Sequence, residues 1–107
     1  EDGKYVSFQL KSIAHPYYRQ PKGKEISFPT GQWVHLKSHL KLSEKDDGRI
    51  ELWQDGKKII DTNGQTLVFA DTIYNSFEIG VSAYNGTDKP TTLYVDDVEI
   101  SDQPLSN

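Results

Sequence analysis

The sequence predicts an antiparallel all-β sandwich or roll, and three observations carry that prediction. Almost every readable segment alternates apolar and polar residues with period two, none shows a helical stripe, and turn chemistry separates the runs. The 107 residues suit one ordinary domain, expected as a single β-sandwich over residues 1–101 followed by a polar tail, Asp102–Asn107. Hydrophobic residues make up 35% and charged residues 26%, which predicts a small core under a polar surface, and 11% aromatics argue against a disordered chain.

Taken in order, Tyr5 to Lys11 places Val6, Phe8 and Leu10 on one face and Ser7, Gln9 and Lys11 on the other. Residues 15–25 hold two prolines and a glycine and read as a loop. Ile26–Phe28 reads as a short strand ended by Pro29. From Trp33 to Leu42, Val34, Leu36, Leu40 and Leu42 face one way, and Trp33, His35, Lys37, His39 and Lys41 the other. Asp46-Asp47-Gly48 turns the chain into Arg49–Gln54, with Ile50 and Leu52 opposite Arg49, Glu51 and Trp53. Asp55-Gly56 between two alternating runs signals a type I′ hairpin, whose two central residues both need positive φ. Lys57–Asp61 is the returning strand, Asn63-Gly64 the next turn, and Thr66–Ala70, Ser76–Asn85 and Thr91–Ser101 three further strands. Asn85-Gly86 opens the loop before the last of these. With Thr87 it also fits an N-glycosylation triplet, although a turn explains the pair better.

Composition excludes several function classes. No apolar run approaches the roughly 18 residues of a membrane span. The chain has no Cys, which removes disulfides, zinc–thiolate sites and cysteine nucleophiles. The formal net charge is −4, but residues 1–45 carry eight basic and four acidic residues, and residues 46–107 four basic and twelve acidic. The basic half is too mild for a nucleic-acid surface. The chain begins without Met and contains none, and residues 1–20 lack a signal-peptide core, so it is expected to be an excised or processed piece of something longer.

Residues 29–59, PTGQWVHLKSHLKLSEKDDGRIELWQDGKKI, show a Trp-led strand, an Asp-Gly turn, a second Trp and an Asp-Gly hairpin in that order. Residues 77–101, FEIGVSAYNGTDKPTTLYVDDVEIS, show a Gly-Val strand leading to a terminal Y-V-D-D-V strand. Together, over residues 29–101, they resemble the concanavalin A-like jelly rolls of the LamG and polysaccharide-lyase kind. Members are usually longer than this chain, so the resemblance implies a truncated or minimal jelly roll. It also implies an extracellular or periplasmic setting, other domains in a longer parent chain, and a polysaccharide or glycan partner. The architecture hosts lectins, lyases, glucanases and adhesion modules alike. Three functions therefore stand: a non-catalytic carbohydrate-binding or accessory domain, part of a polysaccharide lyase or glycoside hydrolase, and an adhesion module without sugar.

The candidate ligand face is the row Trp33, His35, Lys37, His39 and Lys41, spaced about 6.5–7 Å apart along one strand face. Two imidazoles, two ammoniums and an indole suit an anionic sugar polymer; the plainer alternative is a solvated outer sheet face. Trp53 carries the same two readings, and Glu51 beside it suits a cross-strand ion pair. His15, Tyr17, Tyr18 and Arg19 form the most site-like loop, with stacking surface and charge for a sugar, unless one tyrosine packs on the core. Tyr84 lies on the same face as Ser82 and joins the ligand-binding set. Lyases of this type carry a late strand Y-x-K-x-G-x-Y-N whose Tyr, with a His or Lys, moves protons. Aligned on Gly80, that pattern puts Ser76 and Ser82 at the Tyr positions and Glu78 at the Lys, which argues against a lyase centre. Paired carboxylates for hydrolysis are conceivable in Glu51 and Glu78, but no spacing singles them out. The resemblance further implies a structural Ca²⁺ held by Asp96 and Asp97; the bland alternative is a double Asp guarding an edge strand.

Overall fold

The structure, a computed structural model, describes residues 5–10, 17–74, 76–79 and 92–105. The chain divides into two compact units, Glu1–Thr72 and Ile73–Ser106. The described residues are all β or irregular, with no helix, and no helix among them is long and apolar enough to cross a membrane.

The first unit holds two antiparallel sheets. Phe8–Gln9 (β1) pairs with Tyr17–Tyr18 (β2), and Leu36–Lys41 (β3), Arg49–Gln54 (β4) and Lys57–Asn63 (β5) form a three-stranded sheet in that order. β4 lies between two neighbours, and its alternation separates the faces cleanly. Ile50, Leu52 and Gln54 are buried, while Arg49, Glu51 and Trp53 point outward. Ile50 is 0% exposed, and its burial contributes about 1.5–3 kcal/mol. Leu10, Ile59 and Ile60 complete the buried cluster, and Val6, Phe8, Tyr18, Ile26 and Leu40 pack against it. The face expected from Val6, Phe8 and Leu10 is thus the one that meets the core. Gln20 ties the loop after β2 to this layer: its Nε2 donates to Val6 O at 3.0 Å and its Oε1 accepts from Ile26 N–H at 2.8 Å.

The hairpin β4–β5 turns at Asp55 (φ 50°) and Gly56 (φ 81°), both in the left-handed region as a type I′ turn requires. Asp55 also secures the start of β3. Its N–H donates to His35 O at 2.8 Å, and its Oδ1 accepts from His35 N–H at 2.9 Å. The pairing skips one residue on the return: Leu52 opposes Ile60, Trp53 opposes Lys58, and Ile59 is the extra residue of a β-bulge. Both isoleucines are consequently buried.

Several segments differ from expectation. Tyr17–Tyr18 is a strand, because Phe8 and Gln9 offer it a ladder. Ile26–Phe28 contributes a single bridge, Ser27 to Tyr5. Trp33 and His35 precede β3, which starts only at Leu36. Asn63 ends β5, and Gly64 makes no turn there: its N–H donates to Gly48 O at 3.0 Å. Thr66–Ala70 is not a strand. The N–H groups of Thr66 and Leu67 both donate to Ser43 O at 2.9 Å, and residues 68–71 bend and turn. In the second unit, residues 76–79 and 92–101 form no regular strand. Lys11, His15, Tyr84, the Asn85-Gly86-Thr87 triplet, Thr91 and the remainder of the 76–85 run lie outside the described residues.

The other end of β4 is fixed by a buried knot. Thr66 is fully buried; its Oγ1 accepts from Ser43 N–H and donates to Lys41 O, each at 2.8 Å. Gly48 sits against it so closely that a Cβ there would stand 2.3 Å from Gly64 O and 2.9 Å from Thr66 Oγ1. Gly48→Ala must displace backbone and is expected to destabilise by about 1–3 kcal/mol. Thr66→Val, which strands the Ser43 N–H, should cost about 1–3 kcal/mol. Urea denaturation measures both; an unchanged midpoint in either variant would contradict this account of the knot.

Candidate functional site

The outward face of β3–β4–β5 is built in three cross-strand rows. Lys41, Arg49 and Asn63 form the first, His39, Glu51 and Asp61 the second, and Lys37, Trp53 and Lys58 the third. Regular alternation delivers the β3 and β4 members to this face. On β5 the bulge does so: Lys58 and Asp61 are three residues apart, so a regular strand would send them to opposite faces.

Glu51 is the centre of the network. Its Oε1 accepts from His39 Nδ1 at 2.9 Å and its Oε2 from Lys58 Nζ at 2.7 Å. A carboxylate can only accept, so the His39 proton resides on Nδ1 and leaves Nε2 as the second ring position. Lys58 also reaches Asp61 at 3.4 Å, and the Arg49 guanidinium is held by Asp61 and by Asn63 Oδ1, the latter at 3.2 Å. Lys37 Nζ lies 4.4 Å and Lys58 Nζ 5.1 Å from the Trp53 ring centroid, within cation–π range. The indole therefore presents ammoniums rather than a bare stacking surface. His39, Lys41, Asp47, Arg49, Glu51 and Asn63 line a shallow depression. At its turn end, Ser43 Oγ donates to the Asp47 carboxylate, which lowers that carboxyl below its ordinary value.

The structure thus brings Lys37, His39 and Trp53 together and adds Arg49, Lys58, Asp61 and Asn63, which sequence reasoning missed. Glu51 proves to be the cross-strand ion-pair partner. Trp33 is 68% exposed, and it and His35 lie before β3 rather than in its row. Tyr17 is exposed beneath the Arg19 guanidinium, 4.5 Å from its ring centroid. Tyr18 packs on the core beside Phe8, with ring centroids 6.4 Å apart. In the second unit, Asp96 Oδ1 accepts the N–H of Asp97 at 2.8 Å, and Asp97 has φ 53°. Among the described residues no three His, Cys, Asp or Glu side chains converge as a metal cluster.

The hydrogen bond from Lys58, then that from His39, hold the Glu51 carboxyl below its ordinary value of 4.5. Glu51 in turn raises Lys58 above its ordinary 10.5. The Glu51 contribution to stability is therefore full above 4.5 and lost as pH falls through the lower folded-state value; that of Lys58 is full below 10.5 and lost as pH rises through its raised value. Glu51→Gln should lower the urea midpoint at about pH 7, with a smaller gap to wild type at an acid pH well below the ordinary carboxyl value of 4.5. A gap of equal size at both pH values would contradict the assigned pairing.

A family model described as polysaccharide lyase matches residues 3–99, a span that takes in all five strands. No curated protein and no solved structure gave a match. The match agrees with the polysaccharide-lyase side of the resemblance carried by residues 29–101 and extends it toward the N-terminus. With the match covering most of its length, the chain belongs to the polysaccharide lyase family.

Proposed function

We propose that this chain binds an anionic polysaccharide on the outward face of β3–β4–β5, as a non-catalytic carbohydrate-binding or accessory domain of a larger polysaccharide-active protein working outside the cell. The observation that carries the reading is the gathering of Lys37, Lys41, Arg49 and Lys58 on one face. Among the described residues, Lys37 and Lys41 make no ion pair. Their charges are available to a carboxylate or sulfate, and charge-assisted hydrogen bonds of that kind are stronger than neutral ones. Arg49 is already oriented by Asp61 and Asn63, which reduces the ordering that binding must impose. Family membership supports a polysaccharide as the ligand. Ser76, Glu78 and Ser82, standing where the related lyase strand has Tyr, Lys and Tyr, favour binding without chemistry.

A second reading, a lyase domain, is favoured by the family and by one geometric feature. Glu51 fixes the His39 proton on Nδ1, which leaves Nε2 of an exposed imidazole able to accept a substrate proton.

Affinity electrophoresis through gels containing glucuronan, alginate or neutral laminarin separates these possibilities when absorbance of unsaturated product is followed alongside. The chain should be retarded by the two uronic-acid polymers and not by laminarin, with no rise in absorbance. Lys37→Ala/Lys41→Ala should weaken the retardation about fivefold, the scale of two exposed charge contacts, and added salt should weaken it further. Equal retardation in laminarin, or none anywhere, would overturn the anionic-face reading, and an absorbance rise would establish the lyase.

A further inference from the structure

We infer that the face selects a polysaccharide whose negative charges are separated by uncharged sugars, rather than one charged at every residue. The inference rests on the anionic-polysaccharide reading of this face and concerns which member of that class it fits. The three rows alternate in charge along the strand direction. Lys41 and Arg49 make the first row cationic, and Lys37 and Lys58 do the same for the third. Between them stand two carboxylates, Glu51 and Asp61, beside His39. The Arg49 and Lys58 heads reach in to the Asp61 and Glu51 carboxylates, so among the described residues the unpaired ammoniums of this face are those of Lys41 and Lys37, four residues and about 14 Å apart along β3 at about 3.4 Å per residue.

A polymer lying along β4 with a carboxylate on each sugar would set one of them over Glu51 and Asp61. Those carboxylates already hold Lys58 and Arg49, so a charge set there gains no unpaired cation while it faces two like charges, which discriminates against the ligand that brings it. An uncharged sugar meets the same row favourably. Each carboxylate offers about four lone-pair positions, and the internal donors use only part of them: His39 and Lys58 at Glu51, Arg49 and Lys58 at Asp61. The rest can accept from sugar hydroxyls. Asp47, at the turn beyond the first row, lines the same depression with its carboxylate engaged by Ser43 and within the field of Lys41.

The test compares two probes built on the same acid at matched chain length: hyaluronan fragments, where glucuronic acid alternates with N-acetylglucosamine, and glucuronan fragments, with glucuronic acid throughout. Calorimetric titration of the whole chain should give hyaluronan a Kd about fivefold lower, the scale of two exposed like-charge contacts, with Glu51 and with Asp61. Glu51→Gln keeps an acceptor and removes the charge, so it should bring the two Kd values together by strengthening glucuronan binding. Asp61→Asn serves the same purpose if the first variant does not fold. Glucuronan binding as tightly as hyaluronan, or a preference unmoved by both variants, would overturn the charge-spacing inference while leaving the anionic face intact. No binding of either polymer would overturn the anionic face itself, and the spacing inference with it.

Discussion

The extra residue at Ile59 is the constraint on which both surfaces of the principal sheet depend. A two-residue Asp55-Gly56 loop without it would continue the register Gln54–Lys57 and Trp53–Lys58 unchanged, setting Ile60 opposite Glu51 and turning Asp61 toward the core. The bulge resets the ladder so that Ile60 meets Leu52 and Asp61 meets Glu51. One local irregularity thus buries two adjacent isoleucines and keeps Lys58 and Asp61 outward, where both join the Glu51 network. Core packing and surface chemistry are linked through the backbone of a single residue.

Both ends of β4 are anchored by groups other than the ladder. At the hairpin, Asp55 adopts a left-handed conformation and bonds the backbone of His35 in both directions. At the opposite end, Gly48 fits against Gly64 and the Thr66 hydroxyl, which satisfies Ser43 and Lys41 together. Fixing the central strand in this way holds its outward side chains in place before any ligand arrives. For a face whose individual charge contacts are exposed and therefore weak, such preorganisation matters more than the strength of any one contact.

Much of this was legible in the residues. Alternation assigned Ile50 and Leu52 to the core, Asp55-Gly56 gave the hairpin, and Lys37, His39 and Trp53 share the face expected for them. The bulge had a signal of its own in Ile59-Ile60-Asp61, since strict alternation from the hairpin would bury the aspartate. Arg49, Lys58, Asp61 and Asn63 were missed because their roles depend on that corrected register. Tyr17–Tyr18 was hidden by its proline-rich surroundings, and its pairing is a tertiary event between segments that share no local pattern. Thr66 read as a strand residue because a β-branched side chain has strand propensity; its actual task, accepting from the Ser43 N–H and donating to the Lys41 carbonyl, is invisible without the fold. Trp33 and His35 alternate correctly, but Asp55 captures the His35 backbone before the ladder begins.

The proposed reading sets the polysaccharide on the cationic rows of β3–β4–β5, to which the bulge contributes the β5 members. Its most direct test is an NMR titration of the isotope-labelled chain with a glucuronic-acid-containing oligosaccharide. The account predicts that shift changes concentrate on Lys37, Lys41, Arg49, Lys58 and Asn63 while Leu10, Ile50 and Ile60 remain still. Changes confined to other surfaces, such as Tyr17 and Arg19 or the second unit, would contradict it.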